Sequence, residues 1–272
     1  MNQKKHNLFA VPYYLWIAFF VIMPLVLLMY QSFFDINGHF TLANYVTFFT
    51  SPNYLLMTFS SFWYAFLVTV FTFMIAYPMA YLLSRTRNKR LWLMLIILPT
   101  WINLLLKTYA FIGLLGNTGP INSWLEALGI GPVQLLFTDG AFLLVAAYIE
   151  LPFMMLPIFN SIDEIPTSLV EASTDLGATR WDTLRRVIFP MSLRGVRSGV
   201  QAVFIPSLSL FMLTRLIGGN RVITLGTAVE QHFLVTQNWG MGATIGVVLM
   251  IAMVVIMYMT RERNDKGGLA ND

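Results

Sequence analysis

Six apolar runs, each long enough to cross a bilayer, constrain this chain more than any other feature. They lie near 8–30, 59–83, 91–115, 140–160, 198–217 and 242–260. A crossing helix needs about 20 such residues. Hydrocarbon offers an unpaired amide no water, so runs of this length must close their own hydrogen bonds as helices. Charged residues make up 11% of the sequence and hydrophobic ones 57%, whereas soluble domains carry about 25% charged residues. The expectation is an all-α integral membrane protein with six transmembrane helices and one domain over 1–272. The first run follows Lys4 and Lys5. It is too long for a signal peptide and lacks a small-residue cleavage site, so it reads as retained.

Basic residues in the connecting segments set the orientation. Lys4, Lys5, Arg85, Arg87, Lys89, Arg90, Arg180, Arg185, Arg186, Arg194, Arg197, Arg261, Arg263 and Lys266 fall on one side, and Arg221 alone on the other. That asymmetry predicts a multi-pass protein of a bacterial cytoplasmic membrane with both termini cytoplasmic. An even number of crossings requires the same. The outer segments 31–58, 116–139 and 218–241 carry turn residues and the acids Asp35, Glu126, Asp139 and Glu230. An acidic outer face favours a cationic solute, although solvated loop charge accounts equally for each acid taken singly.

Between the fourth and fifth runs stands the longest polar island, 161–197. Its apolar residues are separated by charges and hydroxyls, so it cannot span. Ser168 with Glu171 has the spacing of a capping box, predicting a short helix that starts there. Gly177 can close that helix in a left-handed cap. Thr179 with Asp182 can open a second short helix, and Pro190 limits it. Two short amphipathic helices joined at Gly177 would project from the membrane toward a partner.

Several kinds of chemistry are excluded. No cysteine is present, so there is no disulfide, thiol nucleophile or thiolate metal site. No Walker A pattern occurs, so ATP does not bind here through a P-loop. His6, His39 and His232 have no metal-ligand spacing, and neither cofactor nor metal is expected in the chain. Three ionisable residues fall inside runs. Lys107 and Arg215 sit near the outer ends, where long side chains snorkel. Glu150 lies mid-run in AAYIELPFMMLP, where an acid costs on the order of 3 kcal/mol. It must face a cavity, a partner or a compensating group. Solute contact, a charge pair or hydrogen bond inside the bundle, and a neutral protonated acid all remain open, with Lys107 or Arg215 the nearest cations for a pair. Around Pro99 the sequence LPTWINLLLKTYAF puts Trp101, Asn103 and Tyr109 in one broken span. Such aromatic faces can hold an ammonium group, although packing is the commoner use.

Glu171-Ala172-Ser173, Gly177, Val187 and Phe189-Pro190 resemble the EAA motif of ABC importer permeases: Glu-Ala-Ala, three residues, Gly, nine residues, Ile, one residue, Leu-Pro. The spacing matches throughout, with Ser173, Val187 and Phe189 replacing residues of similar size. Beyond it, PTWINLLLKTYAF, YIELPFMMLPIFNSIDEIP, GGNRVITLG and QHFLVTQNWGMGAT resemble the permeases of spermidine/putrescine importers along nearly the whole chain. The resemblance implies a type I importer permease fold whose cytoplasmic coupling helices dock on an ABC ATPase dimer. It also implies a second permease, an extracytoplasmic polyamine-binding protein, and ATP-Mg held by the ATPase. Glu171, Ala172, Leu176, Gly177 and Pro190 would then form the coupling site, and Glu150, Trp101, Asn103 and Tyr109 the solute path. A permease for another small solute and an ATPase-independent secondary carrier are the alternatives, although the EAA loop would have no role in the latter. Neither a nucleic-acid partner nor an enzyme active site is implied.

The orientation is directly testable. A cysteine at Thr179 should resist an impermeant thiol reagent applied to intact cells, and one at Asn220 should react. The reverse pattern would overturn the topology.

Overall fold

The computed structural model describes residues 11–219 and 221–260. The readings placed on Lys4, Lys5, His6, Asn220, Arg261, Arg263 and Lys266, and on the two termini, lie outside the described residues. Thirteen helical elements organise the description: α1 Val11–Gln31, α2 Ala43–Thr50, α3 Pro52–Ser84, α4 Lys89–Ile97, α5 Leu104–Leu115, α6 Pro120–Ala127 and α7 Asp139–Asp163 in the first part. After them come α8 Thr167–Asp175, α9 Arg180–Thr183, α10 Phe189–Ser207, α11 Phe211–Leu216, α12 Leu225–Glu230 and α13 Trp239–Thr260.

Four helices, α1, α3, α7 and α13, are continuous and apolar enough to cross a bilayer. The run expected at 91–115 is instead bent by 94° between Lys89–Trp101 and Leu104–Ala127. Pro99 sits in a 3₁₀ turn, Leu98–Trp101, and Ile102 is extended. Asn103 then restarts the helix, its Oδ1 accepting the Leu105 amide at 2.8 Å. The run expected at 198–217 is also divided. It occupies the end of α10 and all of α11, with a break at 208–210 where the Ser209 and Leu208 amides make short bonds to Pro206 and Ile205 carbonyls. Gly226 of α12 fits against that break, so closely that a Cβ there would lie 3.1 Å from the Ser209 backbone.

The centre of the molecule is the packing of α3, α7 and α10. Val68, Ala76 and Ala80 meet Phe142, Val145, Met154, Ile158 and Val203 in one buried cluster. A second cluster joins Phe48, Ala65 and Leu208 to Leu225, Met241 and Ile245 of α12 and α13. Hydrocarbon gives apolar side chains no reason to prefer each other to lipid, so close backbone approach and polar bridges hold such helices together. Both are present. Gly195 and Gly199 bring α10 onto α7, and a Cβ at Gly195 would stand 2.3 Å from the Pro157 carbonyl oxygen. The Ser192 and Tyr77 hydroxyls share a hydrogen bond of 3.0 Å between α10 and α3. The Leu225 amide donates to Ser61 Oγ at 2.7 Å, and Thr244 Oγ1 donates to the Ser32 carbonyl at 3.1 Å. In contrast, α1 buries none of its apolar window within the chain.

Gly195→Val should therefore force α7 and α10 apart. Overpacking of a tight contact costs about 1–3 kcal/mol, so a thermal-denaturation series in detergent should show a clear loss for Gly195→Val and little change for Gly113→Ala, which meets open space.

Candidate functional site

The polar island forms two short helices joined at Gly177, with local chemistry that can be followed residue by residue. α8 begins at Thr167, preceded by Pro166, and no side chain caps it. The Ser168–Glu171 capping box is thus absent. Pro166 sets the helix entry one residue earlier and leaves Ser168 inside the first turn, where its hydroxyl cannot serve as the cap. At the other end Gly177 adopts φ +81°. Its amide donates to the Thr174 carbonyl at 2.9 Å and that of Ala178 to Ser173 at 3.0 Å, the paired bonds of a Schellman cap. Thr179 then opens α9 with a complete capping box to Asp182. The Thr179 hydroxyl donates to Asp182 Oδ2 at 2.5 Å, and this bond holds the carboxyl below its usual range.

Pro190 does not end the second helix. The chain stays helical from α9 through a π turn, Leu184–Ile188, into α10, with Pro190 in the first turn of α10. The π turn has already shifted the ladder, since the Phe189 amide bonds Leu184 rather than Arg185. A proline at this point, in a first helical turn, therefore breaks nothing further.

The loop presents a mixed surface. Leu176 is 89% exposed at its tip, and Trp181 is exposed beside it. Glu171 and Ala172 are also exposed. On the membrane side Glu171 lines a cleft of about 280 Å³ with Ser84, Arg85, Lys89, Asp163 and Ile188. Lys89 and Asp163 pair across this cleft, tying the segment after α3 to the end of α7, while the Arg85 guanidinium lies 5.3 Å from the Tyr81 ring centre. Ser173, the residue replacing alanine in the motif, bonds Thr183 Oγ1 at 2.9 Å and so joins α8 to α9. Sequence reasoning passed over Lys89, Asp163 and the Ser173–Thr183 pair. Two hydroxyls ten residues apart, on either side of a predicted glycine cap, were the available signal for the last.

Glu150, on α7, is 5% exposed. Among the described residues no hydrogen bond or ion pair reaches its carboxyl, and Lys107 of α5 is the cation whose charge acts on it. Arg215, the other candidate, instead donates to Glu230 Oε1 at 2.7 Å. α5 approaches α7 through Phe111 and Tyr148, whose rings meet edge to face at 5.0 Å. Trp101 and Tyr109 are exposed, at 79% and 58%, as is Asn103 in its capping role. None of the three is joined to Glu150 by a ring contact or hydrogen bond among the described residues. The four thus sit on the broken span and the neighbouring helix without forming one closed site.

The outer acids are partly committed elsewhere. Glu230 serves Arg215. Asp35 accepts the amides of His39 and Asn37 at 2.8 and 2.9 Å, and the His39 amide keeps its carboxyl below the usual range. Nearby, burial pushes the His232 imidazole down, and its Nε2 meets the Tyr54 hydroxyl at 2.9 Å.

No family model matches the chain. Curated relatives do. The spermidine/putrescine transport system permease protein PotB of Haemophilus influenzae is 30% identical, covering 97% of this chain and 96% of its own length. PotB of Escherichia coli is 31% identical over 91% of this chain and 94% of its own. The inner membrane ABC transporter permease protein YdcU of Escherichia coli is 30% identical over 91% and 86%. Among solved structures, a bacterial alginate ABC transporter superposes with a TM-score of 0.81 at 18% identity over 97% of this chain and 98% of that one. The methionine transporter MetNI in an inward-facing conformation gives 0.59 at 21% identity over 78% and 96%. Those two likenesses fix the fold as that of an ABC importer permease. With relatives at this identity over almost its entire length, the chain belongs to the PotB family of transport-system permeases.

Proposed function

We propose that this chain is the permease subunit through which an ATP-driven importer carries polyamines, spermidine and putrescine among them, across the cytoplasmic membrane. The similarity to PotB permeases over nearly the full length carries the reading. The fold neighbours import other solutes, one of them the acidic polysaccharide alginate, so the fold by itself does not choose the cargo. The mid-membrane acid and the aromatic faces of the broken span favour a flexible polycation over an anion.

The coupling loop is the proposed seat of an ABC ATPase dimer, which binds ATP-Mg, with both termini on that cytoplasmic side. Its tip offers Leu176 and Trp181 to a groove, and Ala172 and Gly177 allow close approach. Glu171 lies where its carboxylate can address both the ATPase and the cleft it shares with Arg85. Because α9 continues into α10, closure of the ATPase pair would move the loop and α10 together. A second permease would complete the path, an extracytoplasmic polyamine-binding protein would deliver cargo to the outer segments, and lipid would surround the whole. Alternating access then follows from the rocking of two such bundles.

Inside the membrane, Glu150 is closed off in this conformation, and Lys107 is the cation whose charge acts on it. We infer that the α5–α7 contact opens during the cycle and that an ammonium group of the cargo takes the place of Lys107. Trp101, Asn103 and Tyr109 would present the cargo along the broken span. Cation–π contacts of roughly 2 kcal/mol or more when desolvated hold a polyamine without trapping it.

Two measurements test these readings. At Gly177 no atom lies within 4 Å of a built Cβ, so a side chain there meets only backbone strain of about 1–2 kcal/mol and whatever docks. Gly177→Trp should insert at normal levels, fail to take up radiolabelled putrescine, and lose cargo-stimulated ATP hydrolysis by the co-purified complex. Uptake at the unmodified rate would remove the coupling role. Glu150→Gln keeps size and hydrogen bonding but deletes the charge. It should cut polyamine uptake at least ten-fold, a loss of about 1.4 kcal/mol, while the ATPase still co-purifies. Normal uptake would leave Glu150 outside the path. Failed assembly rescued by Lys107→Met would make the pair structural.

A further inference from the structure

Two cavities meet on the outer face of α3, α10 and α13, and their chemistry differs sharply. The larger, of about 660 Å³, is walled by Phe62, Phe66, Phe73, Val200, Phe204 and Met259. Thr69 Oγ1 donates to the Ala65 carbonyl at 2.7 Å, the Gln201 amide commits one N–H to Thr260 Oγ1 at 2.5 Å, and Thr260 donates to Ile256 at 2.6 Å. The walls are otherwise apolar, so the groove suits a hydrocarbon chain better than a polar cargo. Its α3 wall runs eleven residues from Phe62 to Phe73, about 16 Å of helix. That is roughly half of a 30 Å hydrocarbon core, the depth of one leaflet.

The smaller cavity, of about 560 Å³, adjoins it through the same Gln201 and Thr260 and is lined by Arg197, Ser198 and Tyr258. Arg197 closes the polar island of the sequence, so this mouth lies at the polar end of the apolar groove. Arg197 is exposed. Among the described residues no hydrogen bond, ion pair or ring contact engages its guanidinium, the Ser198 hydroxyl or the Tyr258 hydroxyl. A cation and two hydroxyl donors thus stand at the open end of an apolar groove one leaflet deep.

We propose that this composite groove is a binding site for an anionic phospholipid, with one acyl chain between α3, α10 and α13 and the phosphate on Arg197. Charge complementarity selects the occupant. A transmembrane helix of another subunit could cover the apolar wall but would leave Arg197 without an anion, and a zwitterionic lipid would bring a second cation to the same mouth. Guanidinium and phosphate form the charge-assisted pair that favours arginine at such sites. The site is separate from Glu150 and from the coupling loop, so its failure would leave the transport reading intact.

The test uses the full chain purified with its co-purifying subunits and placed in nanodiscs of phosphatidylethanolamine containing a minor share of phosphatidylglycerol. Native mass spectrometry should find phosphatidylglycerol retained in preference to phosphatidylethanolamine. Arg197→Ala should lower that retention roughly ten-fold, the loss of one hydrogen bond to a charged group, and Arg197→Lys should restore part of it. Val200→Trp, which fills the groove and leaves Arg197 in place, should also release the lipid, so the proposal survives if one variant misfolds. Equal retention of both lipids, or unchanged retention in both variants, would overturn it. So would efficient cross-linking of a cysteine at Val200 to another membrane subunit.

Discussion

Everything in this molecule answers to the absence of water around its backbone. A helix in hydrocarbon must bond to itself, and wherever the ladder is interrupted another group has to supply the missing partner. Asn103 does so at the 94° bend by accepting the Leu105 amide. At the break between α10 and α11, short turns around Ser209 take over and Gly226 lets α12 close against them. The first of these interruptions lies at exposed residues of this chain, Trp101 to Asn103, and the second is covered by α12.

The same solvent removes the usual reason for apolar side chains to associate. The α3–α7–α10 core is held by contact distance and by a few hydroxyls. Gly195 and Gly199 illustrate this. Their spacing in the sequence is common enough in apolar runs to signify nothing, and only the approach of α10 onto the Pro157 and Met154 carbonyls reveals what they permit. α1 touches α13 near Leu28 and Gly246 but buries none of its apolar window, so most of its surface is left for lipid or another subunit.

What could be read beforehand divides along these lines. Long apolar runs, the left-handed Gly177 and the Thr179–Asp182 box depend on local chemistry, and each was legible from its neighbours in the chain. Ser168 misled because Pro166 outcompeted it for the helix start, and Pro190 because the preceding π turn had already absorbed its missing donor. Glu150 was conspicuous as an acid in grease. Its burial, and the commitment of Arg215 to Glu230, are tertiary facts that no spacing encodes. The division of the run at 198–217 follows Pro206, which the sequence already marks as an interruption, and α12 then fills the gap. The number of crossings was therefore harder to read than the apolar character of the runs themselves.

The unbroken helical path from Arg180 to Ser207 joins α9 and α10 into a single rod. Twenty-eight residues at 1.5 Å give an arm of about 42 Å, so pivoting it by about 10° sweeps one end through roughly 7 Å relative to the other. A hinge at Pro190 would have dissipated that motion in the loop. A rigid arm would transmit it, with the close contact of Gly195 on the Pro157 carbonyl as its fulcrum. The place of that contact along α10 would then set how far one end travels for a given displacement of the other.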